Sequence, residues 1–337
     1  MASAREIKRR IGSVKNISQV TRALEAVSAS RVRRAQEQVL NSRPYAEKAW
    51  EVLVNVATAT GANEHPLLAK RDGIQTIDIV LVTSDRSLCG AYNNNIINVA
   101  ERFAASFQNG QHVRWITVGR KGRDYLARRG KNIIAEFHNL PTPLSIASIA
   151  PIGNLVVEDF LSGTVDAVFL AYTDFVNMLV QRPAVINLLP LQRFSPENMV
   201  QQELLKAEPD ATTAGRDYLY EPNASAILDE IIPRFTTLEI YQALLESNAS
   251  EHSARMVAMR NASESAIALA ADLTLEYNKA RQLAITSEIL DIVGGVNALQ
   301  QTQDKATLKA ADQFIKDVGG ELLADKRAER STSARHN

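Results

Sequence analysis

The sequence predicts an α+β / α/β protein: a long antiparallel coiled coil of the N- and C-terminal helices, plus a central α/β, Rossmann-like domain with a mostly parallel sheet. Three observations predict it. Arg234 to Leu299 runs for 66 residues with no proline and no glycine before Gly294, a helix of roughly 90–100 Å at ~1.5 Å rise per residue. Ser3 to about Thr58 holds one proline, Pro44, and one glycine, Gly12. Between them, β-branched apolar runs alternate with helical segments, the pattern of a parallel sheet covered by helices.

On the C-terminal rod, Leu238, Leu245, Met259, Ala266, Leu273 and Ala280 fall at multiples of seven, with Tyr241, Leu269, Leu283 and Leu290 on a second line of the same face. A sustained sevenfold repeat predicts a left-handed supercoil. The seam is impure. His252 lies on the first line and Asn248, Arg255 and Glu276 on the second, so these residues weaken the pair or face a third body. On the N-terminal rod, Ile7, Ile11, Val14, Ile17, Val20, Leu24 and Val27 recur at three- and four-residue steps. Neither helix has a core of its own, and winding the two together buries both faces.

The middle of the chain then reads in order. After a loop from Gly61 to Asp72, strands are expected at Thr76 to Thr83, Val113 to Val118, Asn132 to Phe137 and Val165 to Tyr172. Helices are expected at Asn94 to Phe107, Arg120 to Arg129 and Ser148 to Ser162. Phe175 to Leu191, split by Arg182-Pro183, reads as a hairpin or edge pair, because proline is poorly placed in a sheet centre. Residues 192–222 carry prolines at 196, 209 and 222 and are expected to form the return crossing, with Pro233 marking entry to the long helix. The expected divisions are a shaft helix at 1–60, a central domain at 70–222, a second shaft helix at 223–299, and a partly helical or mobile extension at 300–337. Within the extension, Leu308, Ala311, Phe314 or Ile315, Val318 and Leu322 keep an apolar stripe that Gly319-Gly320 interrupts.

Charge is balanced overall, with 38 basic and 38 acidic residues, but not locally. Residues 1–34 carry nine basic side chains (Arg5, Lys8, Arg9, Arg10, Lys15, Arg22, Arg31, Arg33, Arg34) against Glu6 and Glu25. A basic rod calls for an acidic partner surface. It is a poor nucleic-acid reader, because its apolar face must be buried and no aromatic residue precedes Tyr45. The single cysteine, Cys89, excludes an intramolecular disulfide and fits a reducing compartment. No run approaches the ~18 apolar residues of a membrane span. No signal or transit segment is recognisable at the N-terminus, which favours a bacterial cytoplasmic protein.

The central domain offers little chemistry. Ser84-Asp85-Arg86-Ser87-Leu88-Cys89-Gly90 stands where a Rossmann protein holds its phosphate turn, but with one glycine it reads as a structural turn in which Asp85 caps or bonds locally. Gly119-Arg120-Lys121-Gly122 lacks the P-loop spacing and reads as a helix start. No histidine lies near Cys89 in sequence, and the five histidines (65, 112, 138, 252, 336) show no metal-ligand spacing. No cofactor, metal or catalytic residue is expected.

A set of motifs nevertheless points to a family. Arg5-Glu-Ile-Lys-Arg-Arg-Ile, Arg43-Pro-Tyr-Ala at an expected helix break, Ser84-Asp-Arg-Ser-Leu-Cys-Gly, Tyr241-Gln-Ala-Leu-Leu-Glu-Ser, Ala254-Arg-Met-Val-Ala-Met and Tyr277-Asn-Lys-Ala-Arg-Gln-Leu-Ala-Ile-Thr-Ser-Glu occur in order over residues 2–299. The ordered set resembles the gamma subunit of the F-type ATP synthase, bacterial type. The family signature I-T-x-E-x-x-[DE]-x-x-x-G-A is met at Ile285, Thr286, Glu288, Asp291 and Gly295, and fails at Val296. Leu24 stands where methionine is frequent in the family.

The resemblance implies a non-catalytic rotor: an asymmetric shaft inside a ring of three alpha and three beta subunits, with a foot beside the epsilon subunit and the membrane ring of c subunits. Such a chain couples ion flow to conformational change in the beta subunits, and sits peripherally on the cytoplasmic face of the bacterial plasma membrane. Carried over by motif, Arg255, Arg281, Gln282, Thr286 and Glu288 are expected to meet the beta-subunit crown. From charge, Arg9, Arg10, Arg31, Arg33 and Arg34 are expected to face acidic loops of the ring. Ser84, Asp85, Arg86 and Gly90 form the foot-domain turn. A bland alternative for the shaft residues is pairing along the helix surface, such as Glu276 with Lys279 or Arg281 with Glu288. The lack of a second cysteine argues against the thiol switch of chloroplast members, and residues 300–337 run past the usual family end.

Overall fold

The β-branched run that begins at Thr76 forms the middle of a five-stranded sheet, because both of its faces are apolar and each finds a cover. A computed structural model describes residues 3–60, 65–69, 71, 73–107, 111–191 and 223–333. Its elements are α1 (Ala4–Thr60), β1 (Thr76–Val82), α2 (Tyr92–Ala105), β2 (His112–Val118), α3 (Arg120–Arg128), β3 (Ile133–Phe137), α4 (Ile146–Leu161), β4 (Ala167–Phe175), β5 (Gln181–Leu189) and α5 (Ala224–Ser333). The chain divides into one unit of residues 17–266 and another of residues 1–16 with 267–337.

In the first unit the strand order is β3-β2-β1-β4-β5. The β1–β2, β1–β4 and β2–β3 pairings are parallel, and β4–β5 is antiparallel. The expected hairpin near Pro183 is β4 with β5. Pro183 lies opposite Thr173 in the edge strand, where a missing N–H costs no ladder bond on the outer side. Alternation along β1 sends Ile77, Ile79 and Leu81 into a core with Ile96, Ile97 and Trp115. Val80 and Val82 go into a second core with Ile152, Val156 and Phe160 of α4 and Ile232, Phe235 and Leu244 of α5. Asp78 joins that second face, fully buried, and is answered by Arg114 on β2 at 2.8 Å, which also meets Asp159 of α4.

Two polar contacts fix how α1 and α5 run. The hydroxyls of Ser18 and Ser263 lie 3.4 Å apart, and Ser42 donates to Gln242 Oε1 at 2.7 Å. Residue numbers rise on one helix as they fall on the other, so the pair is antiparallel. Serines beside the seam lines, rather than the polar seam residues themselves, bond to β4 and to the turn that follows it. Thr173 N–H donates to Ser247 Oγ, Ser250 Oγ donates to Thr173 O, and Ser253 Oγ donates to Met178 O, at 3.1, 3.2 and 2.6 Å.

The helices differ from expectation in four respects. α1 passes through Pro44 without a break. A proline there costs about 3 kcal/mol, which burial of Val39, Ala46, Leu53 and Val56 on either side offsets. α5 begins ahead of Pro233, capped by Asn223 Oδ1 accepting from Ala226 N–H at 2.8 Å. It also continues through Gly294-Gly295 and Gly319-Gly320 to Ser333, so the expected interruption of the extension does not occur. The second seam line is bare at its far end, Leu269 being 49%, Leu283 64% and Leu290 64% exposed. Continuing the antiparallel register sets Ala4 opposite roughly Tyr277, beyond which α5 has no α1 to pair with. The expected return crossing at 192–222 lies outside the described residues.

Candidate functional site

The turn after β1 is built to be rigid. Asn93 at the start of α2 accepts Ser84 N–H on Oδ1 at 2.9 Å, while its Nδ2 donates to Ser84 Oγ at 2.8 Å and to Cys89 Sγ at 3.1 Å. Ser84 Oγ donates to Arg86 O at 2.7 Å, and Gly90 takes φ +57°, a left-handed conformation that suits glycine. Asp85 does not bond locally. Its Oδ1 accepts Arg120 N–H at the start of α3 and its Oδ2 accepts Asn139 N–H after β3, at 3.1 and 2.9 Å. One carboxylate thereby ties the C-terminal ends of three adjacent strands. Gly119 is needed for closeness rather than for an anion: a Cβ there would stand 2.1 Å from Thr83 O, and its φ is +95°.

Arg255 reaches this turn from α5. Its Nη1 pairs with Glu251 at 2.6 Å and its Nη2 lies 3.4 Å from both Arg86 O and Ser87 O. Burial pushes the Glu251 carboxyl up, a shift that Arg255 partly offsets. His252, on the adjoining position, is 9% exposed. Burial, reinforced by Arg255 and Arg31, pushes its pKa down to about 4, so it is neutral at pH 7. The sheet holds the opposite case: burial pushes Asp78 up to about 6, with Arg114 pulling against it.

The remaining predicted residues are presented to solvent. Arg31, Arg33 and Arg34 are exposed on α1 of the first unit. In the second unit Arg9 and Arg10 are exposed, Arg10 making a 3.5 Å surface pair with Glu6. Arg281, Gln282, Thr286 and Glu288 are exposed, and neither Glu276–Lys279 nor Arg281–Glu288 forms an ion pair. Every residue from 281 to 316 is exposed, among them Leu283, Ile285, Ile289, Leu290, Ile292, Val293 and Leu299. Ile7 is buried at 7% in the same unit. Among the described residues no group of three or more His, Cys, Asp or Glu could hold a metal, and no helix is long and apolar enough to cross a membrane.

Sequence reasoning missed Asn93, the Asp78–Arg114–Asp159 triad and the α4–α5 crossing, where a Cβ on Gly153 would stand 2.2 Å from Thr237 Oγ1. Only the charged residue inside the apolar run TIDIVLV was a visible signal.

The ATP synthase family model matches residues 3–299. The ATP synthase gamma chain of Herpetosiphon aurantiacus is 43% identical over 309 residues, covering 89% of this chain and 100% of that one. That of Chloroflexus aurantiacus is 44% identical over 302 residues, covering 89% and 99%. The chain belongs to the ATP synthase gamma-chain family. A gamma chain is the central-stalk rotor subunit and is non-catalytic by itself. The fold is shared with a chain of the Tetrahymena thermophila mitochondrial ATP synthase central stalk and c-ring (TM-score 0.54, 24% identity, covering 72% of this chain and 99% of that one). It is also shared with a chain of the Euglena gracilis mitochondrial ATP synthase (TM-score 0.59, 19% identity, covering 89% and 95%). Residues 300–337, most of them in the last part of α5, lie beyond the family model.

Proposed function

We propose that this gamma chain turns inside a ring of three alpha and three beta subunits, with residues 1–60 and 223–299 as its shaft and residues 70–222 as a foot beside the epsilon subunit and the c-subunit ring. The complex sits at the cytoplasmic face of the bacterial plasma membrane, with this subunit peripheral. The observation that carries the reading is the bare run of α5. A helix exposing large apolar side chains from Leu283 to Leu299 over about half of its circumference presents a surface that water does not favour, and a sleeve of other subunits covers it.

Torque and selectivity follow from the same residues. A helix transmits rotation best without breakers, and after Pro233 near its start α5 holds no proline or glycine until Gly294. Three catalytic sites are held in different states only by a shaft that differs around its circumference, since each orientation must favour one beta conformation over another. Arg281, Gln282, Thr286 and Glu288 supply polar contacts to the crown among apolar neighbours. Arg255 acts through the turn it holds, and Arg9, Arg10, Arg31, Arg33 and Arg34 answer acidic loops of the ring. Arg86, exposed on the rigid Ser84–Gly90 turn, offers the foot's nearest cation.

Reconstitution with alpha and beta subunits from the same source tests this. Co-elution near three, three and one, with ATPase raised well above the alpha-beta mixture, is expected. Failure to co-elute where the ring itself assembles removes the reading.

A further inference from the structure

The first unit contains a cavity of about 490 Å³. It opens off the C-terminal ends of β1, β2 and β3, being lined by Thr83, Gly119 and the His138–Thr142 segment. Parallel α/β sheets take their ligands at that edge, and this volume lies within the ~300–1,000 Å³ of small-molecule pockets. α1 closes the other side with Arg31 and Arg34, one turn apart, and Arg86 reaches in from the turn.

The charges of the lining do not cancel. Its two carboxylates are already occupied: Asp85 accepts two backbone N–H groups, and Glu251 is paired with Arg255 at 2.6 Å. His252 is neutral. Among the described residues Arg31, Arg34 and Arg86 form no ion pair, and against Asp85 and the Arg255-paired Glu251 these three guanidinium groups leave the lining with an excess of positive charge. Guanidinium forks match phosphate oxygens two at a time. The same lining holds Leu140, Pro141 and Leu144, apolar surface that a phosphate alone does not use.

We propose that this cavity is a binding site for a nucleoside di- or triphosphate, with Arg31, Arg34 and Arg86 on the phosphates and the Leu140–Leu144 segment against the base and sugar. The site lies within the gamma chain itself, and the proposal is of binding alone, with no hydrolysis. It goes beyond the rotor reading and needs no ring to form. The same arginines are open to an acidic loop of a beta subunit; the apolar Leu140–Leu144 segment beside them favours the small ligand.

The test is equilibrium dialysis of the full chain with labelled ATP, with pyrophosphate in a parallel arm. Saturable ATP binding is expected, weakened roughly tenfold by Arg31→Ala and again by Arg34→Ala, a factor of ten being 1.4 kcal/mol. Arg22→Ala removes the same charge from α1 away from the cavity and leaves binding unchanged; circular dichroism of each variant separates loss of the site from loss of the fold. ATP is expected to bind more tightly than pyrophosphate, and equal affinities would overturn the assignment of the apolar wall to the nucleoside. Absence of saturable ATP binding, or equal weakening by Arg22→Ala, overturns the proposal. So does the case in which Arg31→Ala and Arg34→Ala impair only assembly with the ring, which makes the cavity an acidic-loop contact. Because dialysis uses no alpha or beta subunit, a negative result leaves the rotor reading standing.

Discussion

Two stretches of one helix, α5, live in opposite environments. From Ile232 to Ser253 most residues are buried, including polar ones such as Glu239, Gln242, Glu246 and Ser250, because the helix is enclosed by the α4-covered sheet and by α1. From 281 to 316 nothing is buried. Composition does not distinguish them: both are rich in leucine, isoleucine and alanine. The difference lies in what surrounds each, which makes the first stretch part of a folded core and the second a surface that awaits partners.

The widest gap between the stretches should come from one substitution made in each. Leu245 is fully buried and Leu283 is 64% exposed. Leu245→Ala should lower the stability of the free chain by about 2–5 kcal/mol, and Leu283→Ala by no more than about 0.5 kcal/mol, in urea unfolding. In the reconstituted complex the order should change. Leu283→Ala then costs assembly or ATPase, while a purely structural Leu245→Ala acts only through unfolding. Equal small effects of both in the free chain would mean that the enclosed stretch is not a core.

Protonation should sharpen the contrast, because the buried stretch holds His252. His252 has its folded pKa depressed from 6.5 to about 4, so the native state binds fewer protons than the unfolded chain between those values. Its contribution is present above pH 6.5 and is lost as pH falls toward 4, about 3 kcal/mol at 1.36 kcal/mol per unit. Asp78 runs the other way. Its pKa is raised from 3.8 to about 6, so its contribution is full below 3.8 and is lost as pH rises through 6. The two nearly cancel in the native chain, and the His252 share is read as the difference in acid sensitivity between native and His252→Gln. Identical pH profiles would place His252 in contact with water.

What could be read from the sequence follows from this contrast. Strands β1 to β4 and the two long helices announce themselves through local pattern, because burial on a sheet face or along one helix stripe imposes a period of two or near 3.6. The seam was legible as far as it is buried, from Leu238 to Ala266. Its continuation through Leu283 and Leu290 has the same spacing but no partner helix, since spacing says that a face is apolar and not what covers it. Proline and glycine misled for a related reason: Pro44, Pro233 and Gly319-Gly320 signal local cost, which neighbouring burial or mere helix continuity outweighs. Asp85 was legible as a structural residue, but its partners are 35 and 54 residues away in sequence. Asn93 and Thr237 carry no local signature at all.

Glycine offers the next comparison. Gly153 of α4 stands where a Cβ would meet Thr237 Oγ1 at 2.2 Å and Thr237 Cβ at 3.0 Å. Gly153→Ala should destabilise the free chain by about 1–3 kcal/mol through overpacking. Because the nearest atom is the Thr237 hydroxyl, Thr237→Ala in the same chain should recover part of that loss. Full additivity of the two would show that the crossing relaxes elsewhere.

The bare stretch has its own glycines, Gly294 and Gly295, and a Cβ at either meets nothing within 4 Å. Nothing therefore opposes the intrinsic preference of alanine for a helix. Replacing both by alanine should stabilise that part of α5 by about 0.8–1.0 kcal/mol per site. The gain is local, so it should show as slower amide exchange around residues 290–300, with the urea midpoint of the sheet unchanged. The sign distinguishes two causes for the glycines. If the substitutions slow exchange in the free chain yet lower ATPase in the complex, the glycines are kept for a close approach that only the surrounding subunits supply. If ATPase is unchanged as well, the sleeve leaves room for two methyl groups there, and the grip on the shaft must come from Arg281 to Glu288 instead.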